Sequence, residues 1–266
     1  MSSAIKTQSV PAADRILTIL ELVGQSKRGL RLAEVAEQAK MPRSSAHCLL
    51  LTLERRGYLH RHEKSGRYMF GLKLFSLASY AINGLEVREL AASHLAALMQ
   101  QTGLTVHMAI RQHKQAVLIA KLEPLGQPTV GTWVGRAMDL NSTASGKALI
   151  AHLPDAELAQ IFSSRAFVRH NHFTIVQVSH LRRELAAVRE CGYALDNEED
   201  ELGVRCVGAP IFELRRVVAA ISVAGSLDQL GENRIGSIAA RLKQAALLIS
   251  AQLSRKHGTA AANLEI

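Results

Sequence analysis

Residues 41–58 read MPRSSAHCLLLTLERRGY, and the reading of this stretch decides the fold of the N-terminal third. Pro42 fits the first position of a helix, because it has no N–H to leave unpaired there, and Gly57 supplies a stop. Between them Ala46, Leu49, Leu50 and Leu53 recur at helical spacing and form a face to bury. Ser44, Ser45, His47, Cys48, Leu51, Thr52 and Arg55 are left more or less outward. Upstream, Ala13, Ile16, Leu17, Leu20 and Val23 stripe a first helix, GQSKRGL breaks it, and Leu32, Val35, Ala36 and Ala39 stripe a short second one. Downstream, YLHR and RYMF are strand-like pieces around the polar, glycine-containing tip HEKSG, which reads as a hairpin with Arg61 and Arg67 flanking its tip. Three helices and a basic hairpin predict a winged helix-turn-helix. A DNA-reading helix needs one face to bury and an N-terminal end that approaches the duplex.

Charge is distributed to match. The chain of 266 residues carries a net charge of +9. Residues 1–84 hold 13 Lys/Arg against 6 Asp/Glu, an excess of seven, and the remainder holds 19 against 17, an excess of two. A positive field on one small segment suits a polyanion such as nucleic acid, and a merely soluble basic surface is the plainer alternative. The length favours two domains. No apolar run approaches the ~18 residues that cross a bilayer, and MSSAIKTQSVPAADR lacks the apolar centre of a secretory signal. A cytoplasmic protein is therefore expected. Three cysteines, Cys48, Cys191 and Cys206, form no CxxC pair, so neither a disulfide framework nor a structural zinc site is suggested.

In LKLFSLASYAI, residues 72–82, two stripes are apolar: Leu74, Leu77, Ala78 and Ala81, and Leu72, Phe75 and Ile82. One can pack on its own chain; the other calls for a partner, and a second copy is the simplest. Asn83-Gly84 marks a junction. Beyond it a helix carries Val87, Leu90, Ala91, Leu95 and Leu98. The strands follow: one with Val106, Met108 and Ile110, AVLIAKL, and TVGTWV as a third. Helices are expected at TASGKALIAHL and SHLRRELAAVREC. RCVGAPIF and VVAAISVAG are strands joined by the charged turn ELRR, and Ile235, Ile238, Ala239, Leu242, Ala246, Ile249 and Leu253 stripe a closing helix. Hairpins bracketed by helices indicate an α+β domain with a mostly antiparallel sheet.

These blocks carry a family resemblance. LRLAEVAEQAKMPRSSAH, LERRGYL and RYMFGLKL resemble the helix-turn-helix and wing of IclR-family transcriptional regulators. NSTASGKALIAHLP, LRRELAAVRECGYALDNEED and ELGVRCVGAPIFELRRVVAAISVAGS are similar to that family's effector-binding domain, and the match runs from about Ser9 to the closing helix. The resemblance implies a winged helix-turn-helix over 10–72, a linker and dimerisation helix over 73–85, and a GAF-like effector-binding domain over 86–257. It further implies operator binding as a homodimer or dimer of dimers, modulated by a small metabolite, an organic acid or aromatic compound. Two departures stand out. Cys48 occupies a recognition-helix position, two after Ala46, where the family commonly has arginine, and the last hairpin turn reads LRR where glycine is usual.

Candidate DNA contacts follow from helix position. The turn formed by Pro42, Arg43, Ser44 and Ser45 presents free N–H groups and a positive dipole end to a phosphate, although serine near a helix start is also ordinary capping chemistry. His47 and Thr52 are placed to reach base edges. Arg61, Lys64 and Arg67 would hold the flanking backbone or minor groove, or are plain solvated charges. In the second domain Cys206 and Gly208 alternate on one strand face, and Ala220, Ser222 and Ala224 on another. If the two faces coincide they make a floor of small side chains with room for a ligand; the plain alternative is a helix packed closely there. The resemblance implies ligand contacts at Asp196, Cys206 and Ser222, and a further wall from residues 141–146, which include Ser145 and Gly146. Asp196 could equally be a turn residue before the acidic run NEEDE, which is usually a solvated face.

Catalytic readings fail on spacing. NSTASGKA lacks the first glycine of a phosphate-binding loop, and Ala148 stands where a magnesium-binding hydroxyl belongs. His60/His62 and His170/His172 read as surface histidines rather than metal ligands, and His94 as a satisfied, partly buried residue. No base can be assigned to Cys206 as a nucleophile. No catalytic residue, metal or cofactor is expected. The competing readings are an enzyme acting on a metabolite in the C-terminal pocket and a sequence-indifferent architectural DNA binder.

Overall fold

The computed structural model describes residues 10–126, 130–163 and 167–262, with side chains through 256. Contacts divide the chain into two units at Gly84. The first contains α1 (Pro11–Gln25), α2 (Leu32–Gln38), α3 (Arg43–Arg55), β1 (Leu59–Arg61), β2 (Tyr68–Phe70) and α4 (Leu72–Asn83). Its core is Ile19, Val23, Val35, Ala46, Leu50, Leu53, Leu59 and Tyr68 with their neighbours. On α1 the buried line runs through Ile19 and Val23, flanked by Ile16 and Leu20, while Leu17 is 56% exposed. The expected stripe is thus rotated. On α3 the expected face closes on the core, with Leu49 only partly covered. Pro42 is the N-cap rather than the first helical residue, and Gly57 adopts the left-handed φ of +77° that lets the chain leave α3 for the wing. β1 and β2 pair antiparallel, and Leu30 bridges Tyr68 as a third short edge.

Helix α4 buries none of its residues within the chain. Leu72 is 84% exposed, Phe75 73% and Tyr80 77%; only Leu74 and Ile82 are half-covered, so neither of the two apolar stripes is buried here, against the expectation that one would pack on its own chain.

The second unit opens with α5 (Glu86–Thr102), followed by β3 (Thr105–Gln112), β4 (Gln115–Leu122) and β5 (Ala137–Asp139). Then come α6 (Ala144–Ile150), α7 (Asp155–Ser163), α8 (Val178–Cys191) and β6 (Ala194–Asn197), and finally β7 (Val204–Glu213), β8 (Arg216–Ser226) and α9 (Glu232–Ala262). The strands form a six-stranded sheet in the order β5-β4-β3-β8-β7-β6, with every neighbouring pair antiparallel. One face packs on α5 and α9, through Leu95, Leu98, Met108, Val207, Ile221, Leu242 and Ile249 among others. The other packs on α6 and α8, through Leu118, Ala148, Leu149, Leu181, Leu185 and Ala220. Each fully buried aliphatic side chain contributes about 1.5–3 kcal/mol of burial.

The third strand of this sheet was expected at TVGTWV. Its first residue lies outside the described residues, Val130 through Val134 form no strand, and the strand that pairs with β4 is Ala137–Asp139 instead. Gly131 and Gly135, the latter at φ +92°, bend the chain there, and Lys121 Nζ donates to the carbonyls of Val130 (2.9 Å) and Thr132 (2.8 Å) in place of a ladder. α7 and β6 were not anticipated. No described helix is long and apolar enough to cross a membrane.

Candidate functional site

The first unit presents the entrance of α3. No side chain caps this helix, so its first-turn amides and positive dipole end face outward beside Arg43 and Ser44, both exposed, and Ser45, which is half-buried. His47, Cys48 and Thr52 are exposed further along; the Thr52 hydroxyl donates back to the Cys48 carbonyl at 2.9 Å and keeps its lone pairs. In the wing, Lys64 and Arg61 are exposed, the Arg61 guanidinium lying 5.9 Å from the centre of the Tyr68 ring.

Arg67 is placed differently. Its guanidinium donates to both oxygens of Glu34, at 2.9 and 3.2 Å, and to the Gly29 carbonyl at 2.8 Å. Glu34 in turn accepts the Arg31 amide at 2.6 Å, a bond that with Arg67 holds its carboxyl below the usual range. Arg67 therefore ties the wing to the start of α2, and its donors are turned toward the protein.

In the second unit the register answers the question left open by the sequence. Gly208 lies opposite Ser222, and Ser222 opposite His107, so the two small faces coincide. Both readings of that floor then apply, to different parts of it. Over Gly208 the backbone of α6 comes so close that a Cβ would stand 2.7 Å from the Ala144 carbonyl oxygen. Beside it, Ser145, Asp196, Cys206 and Ser222 converge on one cavity, with His107, Thr132, Arg136 and Asp200 completing the wall. Gly146 does not line it: a Cβ there would meet the Asp139 carbonyl at 2.5 Å, so its role is to let α6 approach β5.

Electrostatics inside the cavity are subdued. Ser145 donates to Ser222 at 2.9 Å. Asp196 is 3% exposed, accepts the amides of Glu199 (2.9 Å) and Asp200 (3.4 Å), and is pushed up to about 8 by burial against the pull of Lys147. It is predominantly protonated at neutral pH. Burial, then the neighbouring Asp196, raises the Cys206 thiol, which makes it a poor nucleophile. His107 meets Thr132 Oγ1 at 2.8 Å, and burial together with Lys121 lowers it to about 4, leaving a neutral imidazole. Arg136 supplies a positive charge, 3.4 Å from Asp200. Behind the wall, fully buried Lys147 pairs with Glu199 at 2.6 Å and Glu184 at 3.6 Å. The acidic run is consequently only in part a solvated face: Asn197 and Glu201 are exposed, Glu198 and Asp200 half-buried and Glu199 interior, as is Asp196 just before it.

Two domain families match, the IclR helix-turn-helix domain over residues 12–63 and the bacterial transcriptional regulator IclR C-terminal domain over 79–251. The chain belongs to the IclR family. It is 31% identical to the HTH-type transcriptional regulator XynR of Escherichia coli K12 over 245 residues, covering 92% of this chain and 97% of that one. Among solved structures, the IclR of Thermotoga maritima is 33% identical with a TM-score of 0.72, covering 91% and 98%. An IclR homolog from Microbacterium hydrocarbonoxydans, complexed with 4-hydroxybenzoate, shares the fold at TM-score 0.78 and 22% identity, covering 91% and 98%. The curated relatives are transcriptional regulators and repressors, so this IclR-family chain is a transcriptional regulator, not an enzyme.

Sequence reasoning missed half of the IclR-type cavity wall. His107 sits between Val106 and Met108, the residues that marked the strand; both faces of the strand are buried, and pairing with Ser222 puts His107 on the cavity side. Thr132, Arg136 and Asp200 come from irregular segments with no periodic signal. His170 contacts Asp139 at 2.9 Å, and His94 Nε2 is buried without a partner rather than satisfied. No group of three or more His, Cys, Asp or Glu among the described residues is placed to hold a metal ion.

Proposed function

We propose that this regulator binds its operator through the α3 entrance and wing, in the cytoplasm, as a homodimer or dimer of dimers, and that a small organic or aromatic acid in the β7–β8 cavity modulates binding. The observation that carries the ligand half is the convergence of Ser145, Asp196, Cys206 and Ser222, drawn from three elements and a loop-flanked strand, on one cavity. Arg136 is the group to meet a carboxylate; protonated Asp196 and the paired serines suit hydroxyl or carbonyl groups.

In the DNA half, the α3 amides, Arg43 and the serines take a phosphate, His47 and Thr52 approach base edges, and Arg61 and Lys64 hold the backbone beside the wing. Arg67 acts as a strut that sets the wing's angle. Dimerisation through α4 is supported by an apolar surface, Leu72, Phe75, Leu77 and Tyr80, that this chain leaves exposed.

The cavity as it stands has a free volume of about 30 Å³. That suffices for a couple of waters; a cavity of roughly 150 Å³ is what admits a benzene ring. Ligand entry therefore requires the wall to move. Two experiments test the proposal together: anisotropy titration of the full-length protein on its own upstream DNA and on scrambled duplex at one salt concentration, and a thermal-shift screen of carboxylic and aromatic acids. Equal affinity for the two duplexes refutes operator recognition. A stabilising acid that is consumed, or that leaves DNA affinity unchanged, refutes the modulation.

A further inference from the structure

Away from the ligand cavity, the second unit carries an open groove of about 670 Å³ along one side of α9. Its wall on α9 includes Ala246, Leu247, Ser250, Ala251 and Ser254, and residues 243–254 run for about 16 Å at ~1.5 Å per residue. Pro210 and Phe212 of β7 form the floor. Small side chains on that helix face leave room for another backbone to come close, and Leu247, 69% exposed, offers an anchor.

The tip of the β7–β8 hairpin adds an unusual apolar residue. Leu214 is 77% exposed and holds φ at +54°, a left-handed conformation that costs a residue with a Cβ and that glycine would adopt freely. Folding of the unit gains nothing from a solvent-exposed leucine in that conformation. A surface that presents it to a partner does.

The charged groups that line the groove have one sign: Arg189 and Lys243 line it and no carboxylate does, while at the hairpin tip Glu213 precedes Leu214 and Arg215 and Arg216 follow it. None of these four cations forms an ion pair among the described residues; Arg189 and Lys243 are held instead by the carbonyls of Ala151 (2.7 Å) and Cys191 (2.9 Å). A two-fold contact with a second copy would set these cations against themselves. An acidic partner would neutralise them.

We propose that the groove between α9 and the β7–β8 hairpin is a docking surface for an acidic amphipathic helix of another protein, about three turns long, with apolar side chains on Leu214, Phe212 and Leu247 and carboxylates toward Arg189 and Lys243. A regulator with such a surface engages a protein partner while its other unit holds DNA.

The test uses the full-length protein and a labelled 16-residue designed helical peptide with leucines on one face and glutamates on the other. Because the DNA-binding unit is itself basic, the readout is the difference between wild type and Leu247→Glu, an exposed position whose folding is checked by its melting curve. Anisotropy is expected to show binding weakened at least about tenfold by Leu247→Glu and by Lys243→Glu, and equally when a scrambled or lysine-for-glutamate peptide is used. Leu214→Gly is expected to raise the melting temperature while weakening the peptide. Equal binding to wild type and Leu247→Glu overturns the proposal. So does sedimentation in which Leu247→Glu lowers the oligomeric state of the free protein, which would make the occupant a second copy of this chain.

Discussion

Replacing Asp196 by asparagine gives the most direct test of the cavity's chemistry. Asparagine keeps the shape, can accept the Glu199 and Asp200 amides through its carbonyl oxygen, and places an N–H₂ where the other carboxyl oxygen stands. What it removes is the titration. In the folded chain Asp196 titrates at about 8, against 3.8 for an unperturbed aspartate. Between those values the folded state keeps a proton that the unfolded state has lost, so stability is greatest below the lower one and falls as pH rises through the upper. Linkage over pH 6 to 9 puts the loss at roughly 3 kcal/mol, equivalent to a fall in melting temperature of roughly 6–12 °C for a unit of this size. Glu199, also raised by burial, adds slope of the same sign to both proteins, and His107, lowered to about 4, acts mainly on the acid side. The difference between the two pH profiles therefore isolates Asp196. Urea unfolding at fixed ionic strength would be followed by Trp133, the chain's one tryptophan, which lies in the second unit. Wild type should lose stability steeply from pH 6 to 8 and level off above that, and Asp196→Asn should not. Parallel profiles would refute the protonated carboxyl.

Other expectations follow from the same geometry. Arg43→Ala should weaken binding to all duplexes alike and lower the salt slope by ~1, as read in titrations over a range of salt. Arg61→Ala should do likewise with an unchanged melting curve, whereas Arg67→Ala, which releases the wing from Glu34 and the Gly29 carbonyl, should lower the melting temperature and leave the salt slope nearly intact. Gly208→Ala forces a methyl to 2.7 Å from a backbone oxygen of α6 and should cost about 1–3 kcal/mol in thermal unfolding. Phe75→Glu, on the uncovered face of α4, should shift sedimentation toward monomer.

What the sequence made legible was whatever repeats. The α3 face, the α9 stripe and the β7–β8 pair announce themselves through spacing, because burial of one face imposes a period of 3.6 or 2 on the residues. Leu50, Leu53, Leu242 and Ile249 all fall where periodicity puts them. The failures lie where one interaction, rather than a period, places the residue. Val130 and Thr132 look β-prone but are held by Lys121 Nζ, a bond no pattern encodes. Arg67 and Arg61 look alike in sequence and differ because Glu34 stands 33 residues before the first of them. Gly146 and Gly208, read as ligand contact and floor, are both sites where backbone meets backbone.

The small cavity also says where a ligand's binding energy must go. Its floor, Cys206 and Ser222, belongs to the long paired strands β7 and β8, each hydrogen-bonded on both sides and braced behind by α9 and beside by α6, which makes it stiff. The opposite wall is joined to it by individual contacts: His107 to Thr132, Arg136 to Asp200 at 3.4 Å, and Lys121 to two carbonyls. A ligand larger than two waters displaces that wall, breaking bonds to carbonyls and hydroxyls and replacing them with its own. Its affinity is then the difference between the two sets, and only a ligand whose polar groups substitute for Thr132 at His107 and for Asp200 at Arg136 stabilises the opened arrangement. Thr132→Val would remove the closed state's hydroxyl without touching the floor, so it should raise the affinity of any acid that binds; unchanged affinity would place the gate elsewhere.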